Sequence, residues 1–370
     1  MNLKWLELAE FRSYEALQLK PETGVNIYVG ENAAGKTNIL EAVAYLALMR
    51  SFRAIPDSGL VRQLPGQPPA PAAVLRGEIT SGDRNSLIEL ELPYDGRRRI
   101  QVNRQRLTRT ADILGYARVV VFLPDDLDII KRSPGLRRQF LDQVAVQLRP
   151  AAYVDQQEYE RVVKQRNSLL RLNGRYTDAA VLSAWNEKMS QAGARVMARR
   201  AASAAAIGDF VQGAYEELAG EPIDIDLGYT SGWEASLDPG IEVAELEARL
   251  WSALERADAT DRERRVTTVG PHRDEPVFTL GGRPSRTQAS QGEQRSLVLA
   301  LRLAAHRAIT ASTQEPPILV LDDVFSELDI TRARALANAL PQAQTFISTA
   351  RFEEVPVEGK RWLVENGTVT

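Results

Sequence analysis

The sequence of 370 residues contains no cysteine and only two histidines, His272 and His306. Without cysteine there is no disulfide, no thiol catalysis and no zinc or iron–sulfur site with thiolate ligands. The sequence also has no apolar run as long as a membrane span, and its start, MNLKWLELAEF, lacks the basic, apolar and small-residue segments of a signal peptide. These absences predict a globular cytoplasmic protein without a membrane partner.

Neither sign of charge dominates the chain, because its formal net charge is only −3 at pH 7. Any nucleic-acid surface must therefore be a local patch. Arginine clusters lie at 97–99, 104–109, 131–138, 195–200 and 262–265. Aromatic residues are few, 6% of the chain, and do not alternate with these clusters as in base-stacking platforms. Contact with a phosphate backbone is therefore favoured over base reading.

The predicted elements fall into three blocks. The first, residues 1–123, has the short alternating apolar runs of strands and one helix from about Lys36 to Met49. The second, from Asp126 to about Ala259, is helical in pattern and includes one run of roughly forty residues that is either a single helix or one bent at its glycines. In the third block the strand patterns RRVTTVG, PVFTLGG, ILVLDD and TFIST return around long helices.

This order of elements predicts a mixed α/β fold with two lobes. A chain of 370 residues is longer than a usual single domain. We therefore expect a head with a mixed β-sheet core, built of residues 1–125 and 260–370, that carries an inserted helical lobe at 126–259.

The strongest motif is VGENAAGKTN, which fits G-x-x-x-x-G-K-[ST] between an apolar strand and a helix. In this motif backbone N–H groups close around a phosphate, Lys36 reaches the β- and γ-phosphates, and Thr37 offers its hydroxyl to Mg²⁺. A chance glycine-rich turn is the alternative, but it does not explain the ordered strand, lysine, threonine and helix. The predicted ATP-binding residues are Gly30, Glu31, Asn32, Ala33, Ala34, Gly35, Lys36, Thr37 and Asn38.

The stretch PPILVLDD has the pattern of a buried parallel strand that ends in two carboxylates. Asp322 is predicted to hold Mg²⁺ together with Thr37, and Asp323 to orient the attacking water. Paired aspartates after a strand can also be helix caps, and the phosphate loop in the same chain favours the catalytic interpretation. We therefore expect Asp323 and Lys36 to be the catalytic residues.

A second glycine-centred stretch, ASQGEQRS at 289–296, lies directly before an apolar helical run. A serine followed by glycine at a helix start is another anion-binding arrangement. The chain therefore carries two motifs that are suited to bind phosphate, whereas a simple P-loop kinase or GTPase needs only one.

The combination of GENAAGKT, SQGEQ, ILVLDD and SELD resembles the ABC-type ATPase heads. The resemblance implies that two heads dimerise head to tail, so that the signature motif of one chain faces the ATP held by its partner. It places the switch position at Thr349. It further assigns the signature motif to Ser290, Gln291, Gly292, Glu293 and Gln294, and the D-loop to Ser326 and Asp329.

Two positions depart from the ABC pattern. Many ABC heads have glutamate after the Walker B aspartate and histidine on the switch strand, where this chain has Asp323 and Thr349. The aspartate side chain is one methylene shorter than glutamate. Since a misplacement of about 1 Å can cost on the order of 100-fold in rate, we expect slow ATP hydrolysis.

The motifs EFRSY, FLPDDLDIIKRSPGLRRQFLD, GPHRDE, SQGEQRS and VENGTV, spread over the whole chain, resemble those of the RecF family of bacterial recombination and replication-repair proteins. The resemblance implies ATP-dependent dimerisation, binding to gapped, single-stranded or double-stranded DNA, weak DNA-stimulated ATPase activity, and action with RecR and RecO in loading RecA. The residues themselves leave a transporter-type or metabolic P-loop ATPase open as the alternative.

The inserted lobe offers a candidate DNA surface. Lys188, Arg195 and Arg199 fall on one face of the predicted helix, at i, i+7 and i+11. This face is suited to track phosphates, although a single basic cluster is more often a solvated face. His272 is interpreted as a structural histidine, and Arg12 as either a neighbour of the nucleotide or a strand-end arginine.

Overall fold

The computed structural model describes residues 1–236, 240–365 and 367–370, so Asn366 of VENGTV lies outside the described residues. The strands found there are β1 (Asn2–Phe11), β2 (Tyr14–Leu19), β3 (Val25–Val29), β4 (Ala72–Ser81), β5 (Arg84–Pro93), β6 (Arg99–Val102), β7 (Gln105–Leu107), β8 (Val119–Phe122), β9 (Ile225–Ser231), β10 (Glu234–Ser236), β11 (Glu275–Leu280), β12 (Arg283–Pro284), β13 (Ile318–Asp322), β14 (Thr345–Thr349), β15 (Lys360–Glu365) and β16 (Thr368–Val369). The helices are α1 (Lys36–Leu48), α2 (Asp128–Lys131), α3 (Pro134–Leu148), α4 (Ala151–Asn173), α5 (Ala179–Ala219), α6 (Val243–Arg264), α7 (Ser285–Gln288), α8 (Gln291–Thr313) and α9 (Ile330–Ala339).

Five parallel strands form the sheet that carries the nucleotide motifs, in the order β8-β13-β14-β3-β15, with β16 antiparallel at the edge. Strands β8 and β13 are buried along their whole length, which is why they appear in the sequence as continuous apolar runs. Parallel neighbours bring their carboxyl ends to one edge. The segments that follow β3, β13 and β14 therefore meet there.

Helix α1 is fixed between two sheets of the same unit. It contacts β13 and β14 of the parallel sheet and β4 of the antiparallel sheet, whose order is β2-β1-β4-β5-β6-β7. Every residue from Ile39 to Ala47 is buried. Since each fully buried large aliphatic side chain contributes about 1.5–3 kcal/mol, this packing firmly holds the helix that starts at the phosphate loop.

The chain forms two compact units. Met1–Asp126, Gly213–Glu221 and Leu299–Thr370 make up the first, and Leu127–Gln212 and Pro222–Val298 the second. The sequence placed the return to the head at residue 260. In the structure the second unit continues to Val298, because β11 pairs with β9 along its whole length in the sheet β10-β9-β11-β12.

The prediction of a strand at RRVTTVG is wrong. Helix α6 continues to Arg264, and Arg265 ends it in the left-handed conformation with a φ of 57°. The Thr267 N–H then donates to the Asn167 side chain at 2.7 Å. The Thr267 N–H thus bonds to the Asn167 side chain and not to the backbone of a neighbouring strand.

Helix α5 is a single helix of 41 residues. Gly193 does not serve as a bend: a Cβ there would lie 2.6 Å from the Leu250 side chain, so the glycine permits the close approach of α6. None of the helices in the described ranges is both long and apolar enough to cross a membrane.

The long helices of the second unit are joined by a buried arginine. Arg166 of α4 is fully buried, and its guanidinium donates to Asp261 of α6 at 2.7 Å and to Asn186 of α5 at 2.9 Å. Breaking a buried ion pair by removing one partner costs about 3–5 kcal/mol. These contacts therefore hold α4, α5 and α6 in a fixed arrangement.

Candidate nucleotide-binding site

The loop between β3 and α1 has a backbone that glycine makes possible. Gly35 has a φ of 111°, and a Cβ there would lie 2.7 Å from the Tyr14 hydroxyl, which donates to the Gly35 carbonyl at 3.1 Å. A Cβ on Gly30 would lie 2.2 Å from the Val364 carbonyl oxygen. Close packing on both sides therefore fixes the loop.

Helix α1 begins in a way that suits an anion. Its N-cap is Gly35, no side chain caps it, and its first turn contains no acidic residue. In the part of the chain that the structure describes, the N–H groups of Gly35, Lys36 and Thr37 have no hydrogen-bond partner. Because such groups carry partial positive charge at a helix start, they fit a phosphate.

Lys36 lies across the phosphate loop. It is buried, and its ammonium donates to the carbonyls of Gly30 at 2.7 Å and Glu31 at 2.8 Å. Burial lowers the pKa of Lys36, while the carboxylates of Asp323 and Asp322 oppose that shift. The ammonium is thus held in the loop, where it would donate hydrogen bonds to a bound phosphate.

Thr37 and Asp322 are brought together as the sequence predicted. The Thr37 hydroxyl donates to Asp322 Oδ1 at 2.8 Å, and the Ser348 hydroxyl donates to the same oxygen at 2.7 Å. A hydroxyl and a carboxylate are the hard oxygen ligands that Mg²⁺ prefers, and Mg²⁺ usually takes few protein ligands beside water and phosphate. The donor set therefore fits Mg²⁺.

Asp323 differs sharply from its neighbour Asp322. Its backbone has a φ of 51°, which costs a non-glycine residue on the order of 1 kcal/mol. Its Oδ1 is buried and has no hydrogen-bond partner among the described residues. Burial raises the pKa of the carboxyl, and the Asp322 carboxylate adds to the rise. An unpartnered acceptor at the end of β13 can accept a proton or a hydrogen bond from water.

Sequence reasoning missed Ser348, Tyr14 and Glu41 around this site. Ser348 comes from the neighbouring strand β14, where it lies opposite Asp322. Arg12 pairs with the fully buried Glu41 of α1 through two hydrogen bonds, at 2.8 and 3.1 Å. The EFRSY motif, which contains Arg12 and Tyr14, was the signal for this part of the site.

The remaining residues of the phosphate loop are open to solvent or held at its rim. Asn38 donates to the Ser13 hydroxyl at 2.9 Å and accepts from Arg53 at 3.4 Å. The residues Glu31, Asn32 and Ala33 are exposed, and Ala34 is half-buried. The loop therefore presents an open face.

The predicted switch residue, Thr349, ends β14 beside Val29 of β3. It is fully buried, and its hydroxyl lies 2.8 Å from a Glu354 carboxylate oxygen. The structure thus places Thr349 at the same sheet edge as the phosphate loop, with its hydroxyl bound to the segment that follows it.

The D-loop lies directly after Asp323. The Ser326 hydroxyl donates to the Asp323 carbonyl at 2.7 Å. Asp329 caps α9, because its side chain accepts from the N–H groups of Thr331 and Arg332. The next residue, Ile330, is 69% exposed. An apolar side chain therefore faces solvent beside the D-loop.

The signature motif forms a capping box at the start of α8. The Ser290 N–H donates to the Glu293 carboxylate at 2.6 Å, and the Glu293 N–H donates to the Ser290 hydroxyl oxygen at 3.2 Å. The bond from the Ser290 N–H lowers the pKa of Glu293. Gln294 is buried and donates to the Ser285 carbonyl at 2.9 Å. Ser290 and Gln291 are exposed.

The three predicted DNA residues have different surroundings. Arg195 pairs with Asp155 and Glu158 of α4, at 2.9 and 2.7 Å, and Arg199 also pairs with Asp155, at 3.3 Å. Lys188 is exposed, with its ammonium 5.2 Å from the Trp185 ring centre. Two of the three positive charges are thus balanced by carboxylates of α4.

His272 has the surroundings of a structural histidine. Its Nδ1 lies 2.7 Å from the Tyr159 hydroxyl and its Nε2 lies 3.3 Å from the Thr267 carbonyl oxygen. Burial lowers its pKa to about 4. The neutral ring therefore serves the packing of the second unit.

The parallel sheet, the phosphate loop after β3 and the carboxylates after β13 together define the head of an ABC-type ATPase. The chain matches the family described as RecF/RecN/SMC N terminal domain over residues 2–359. It is 39% identical to the DNA replication and repair protein RecF of Streptomyces avermitilis, over 100% of this chain and 99% of that protein, and 37% identical to the RecF of Acidothermus cellulolyticus with the same coverage. The chain belongs to the RecF family.

Solved structures agree with this assignment. The structure described as the recombination mediator protein RecF-ATPrS in the RecFOR pathway is 30% identical, has a TM-score of 0.90, and covers 100% of this chain and 97% of its own. An SMC head bound to the C-winged helix domain of ScpA is 19% identical with a TM-score of 0.57, covers 100% of this chain and 96% of its own, and shows the shared fold. Of the two functional classes that the sequence left open, the family assignment favours DNA replication and repair over a transporter or metabolic ATPase.

Proposed function

We propose that the chain is an ATP-dependent DNA-binding protein of recombinational repair and replication restart, in which ATP drives dimerisation on DNA. The observation that carries the proposal is the half-site at the end of the parallel sheet, where an uncapped helix start, the Lys36 ammonium and the Thr37–Asp322 pair converge. The relatives described as RecF-ATP and RecF-ATPrS support ATP as the nucleotide. Its action on chromosomal DNA would place the protein in the cytoplasm.

Each residue of the half-site has a separate task in this proposal. Mg²⁺, when bound, supplies positive charge beside the phosphates. Thr37 and Asp322 would hold it, and the loop N–H groups and Lys36 bind the phosphate oxygens. Asp323 accepts a hydrogen bond from the attacking water and orients it. Because its side chain is short, we expect hydrolysis to be slow and to act as a switch.

The other half of the site is proposed to come from a second chain. The signature residues Ser290–Gln294 would face the γ-phosphate held by the partner, and the D-loop at Ser326 and Asp329 would lie at the dimer seam. The exposed Ile330 supports this seam, because burying an apolar side chain favours association. ADP lacks the γ-phosphate, so ATP alone stabilises the dimer.

Mixed dimers test this arrangement. Ser290→Ala damages the signature, and Asp323→Asn damages the water-orienting carboxylate, so either homodimer should hydrolyse ATP slowly. A dimer of one Ser290→Ala chain and one Asp323→Asn chain has one intact site and one doubly damaged site. Equal mixing should restore about a quarter of wild-type activity if pairing is random. A rate no higher than the average of the two variants, with subunit exchange confirmed, would contradict a site built from two chains.

DNA is the proposed substrate, with RecR and RecO as partners and RecA as the protein loaded in the same pathway. The relatives named for DNA replication and repair, and the one placed in the RecFOR pathway, support these partners. Lys188, Arg195 and Arg199 are proposed to contact phosphates, with Lys188 the most available because it has no carboxylate partner among the described residues. Gel shifts on gapped duplex DNA with ATP, ADP or no nucleotide test the function. We expect tight binding with ATP alone, and equal binding in all three would contradict it.

A further inference from the structure

The turn between α4 and α5 exposes two large apolar side chains. Tyr176 is 95% exposed and Leu172 is 83% exposed, the largest fractions among the large apolar residues of the described chain. They lie at the end of α4 and in the 3₁₀ turn Gly174–Tyr176, within the second unit. A tyrosine this exposed contributes little to packing within the chain, so its ring is free to contact a partner.

The turn that carries Tyr176 is rigid. The Thr177 hydroxyl donates to the Gly174 carbonyl at 2.8 Å, and the Arg262 guanidinium of α6 donates to the Thr177 carbonyl. Gly174 has a φ of 50°, and a Cβ there would lie 3.1 Å from Nε of Arg265. The end of α6 thus packs on the turn, which presents the ring at little cost in conformational entropy.

Arginines from two helix ends flank this turn. Arg171 is in the last turn of α4, and Arg264 and Arg265 are at the end of α6. All three are exposed and form no ion pair within the described residues, whereas Arg175 of the same turn pairs with the exposed Glu263 at 3.3 Å. Arginine at a helix C-terminus stabilises the helix dipole, which accounts for the arginines but not for the exposed tyrosine.

We propose that this tip, formed by Arg171, Leu172, Tyr176, Arg264 and Arg265, binds single-stranded DNA, with Tyr176 stacked on an unpaired base and the arginines on the backbone. An exposed ring on a turn flanked by arginines that form no ion pair in the described chain fits a polyanion whose units have exposed π faces. A protein hot spot lies in a well-packed pocket, whereas Tyr176 and Leu172 project into solvent. The bases inside a DNA duplex are already stacked on both faces and offer the ring no free surface. The proposal rests on the DNA-binding function proposed above and gives it a strand preference.

Fluorescence anisotropy with labelled oligothymidylate and with a blunt duplex annealed from two complementary strands tests the tip. Tyr176→Ala should weaken binding to oligothymidylate by about tenfold, because it removes the ring on which the base stacks. Tyr176→Phe should stay within about twofold, because the ring is retained. Tyr94→Ala, which removes a partly exposed tyrosine of the first unit, is the control. Affinity for the duplex should be the same in all four proteins.

Charge reversal tests the arginines separately. Arg171→Glu with Arg264→Glu should reduce the slope of log K against log salt on oligothymidylate by about 1.4, or about 0.7 for each lost phosphate contact. Arg161→Glu with Arg256→Glu changes exposed arginines further along the same two helices and should leave the slope unchanged.

Three results would overturn the proposal: Tyr176→Ala binding oligothymidylate like the wild type, Tyr176→Phe being as weak as Tyr176→Ala, or an equal loss on duplex DNA. Wild-type protein that binds neither DNA would instead refute the proposed function itself. Because the side chain is exposed, unchanged thermal unfolding of the variants checks that they fold.

Discussion

The two helix starts that face phosphate in this proposal, those of α1 and α8, are built differently. Helix α1 starts at Gly35 with no capping side chain and no acidic residue in its first turn. Helix α8 starts at Ser290, which forms a reciprocal pair with Glu293. Because the carboxylate of Glu293 opposes an approaching anion, α8 lacks the charge to hold a phosphate alone. The start of α1 can hold one, so the difference supports a phosphate that reaches α8 already bound to Lys36 of another chain.

The largest effect should come from Lys36. Lys36→Ala removes a buried ammonium that would donate to phosphate, and hydrogen bonds of charged groups are worth about 1.5–3 kcal/mol. We expect ATP affinity to fall by about 100-fold, measured by isothermal titration calorimetry. Lys20→Ala, an exposed lysine of the same unit, should bind ATP like the wild type. If Lys36→Ala bound ATP as tightly as the wild type, the start of α1 would not be the stronger phosphate site of the two.

The pH dependence of hydrolysis separates Asp323 from Glu293. Burial raises the pKa of Asp323, whereas hydrogen bonds from Ser290 lower that of Glu293. As pH falls, Asp323 is therefore protonated first and the rate should drop about tenfold per unit, starting above the ordinary aspartate pKa of about 4. The residual rate of Asp323→Asn should lose this acid limb, and Glu293→Gln should keep it. If the acid limb disappeared in Glu293→Gln, the titrating group would be Glu293 at the start of α8 and not Asp323.

The raised pKa of Asp323 also predicts how stability depends on pH. A carboxyl with a raised folded pKa stabilises the fold below its unfolded pKa, and that contribution is lost as pH rises through the folded value. At neutral pH the buried charge of Asp323 therefore opposes folding. We expect Asp323→Asn to raise Tm at pH 7 by about 2 °C, while Asp322→Asn lowers it because two hydroxyls donate to that carboxylate. Calorimetry that gives both variants the same shift would refute this contrast.

The smallest effect concerns the charge at α8. Glutamine also fits a capping box, so Glu293→Gln keeps the cap and removes the charge. Since a charge at a helix terminus is worth about 0.3–1 kcal/mol, we expect the ATP-dependent dimer to tighten by about threefold. Light scattering over a concentration series measures this. Glu245→Gln, in the first turn of α6, is the matched control. A weaker dimer in Glu293→Gln would show that the carboxylate does not oppose the phosphate.

Local motifs account for what the sequence could predict. The phosphate loop, the acidic end of β13 and the start of α8 each lie within one continuous segment, so spacing alone located Lys36, Asp322 and Ser290. Ser348 and Glu41 could not be found in this way. Ser348 reaches Asp322 only because β14 pairs with β13, and Glu41 meets Arg12 only because α1 packs beside the antiparallel sheet.

The second unit was harder to predict because its helices choose their partners by packing. Helical periodicity placed Arg195 and Arg199 on one face but could not show that Asp155 of α4 lies opposite them. The left-handed backbone of Asp323 has no sequence signal either, since aspartate there resembles an ordinary strand end. The sequence alone allows either a single helix or a bent one for the 41-residue α5, because glycine can bend a helix or, as at Gly193, admit a neighbour.

The position of β3 has a consequence for how the protein is made. This strand leads into the phosphate loop near the start of the chain, yet its neighbours in the sheet, β14 and β15, come from the last part. During synthesis β3 therefore stays with both edges unpaired until β14 and β15 have been made. A truncated product that ends at α8 keeps the glycines and lysine of the loop but not the strands that fix them. We therefore expect a chain to hold ATP only after synthesis has passed β15.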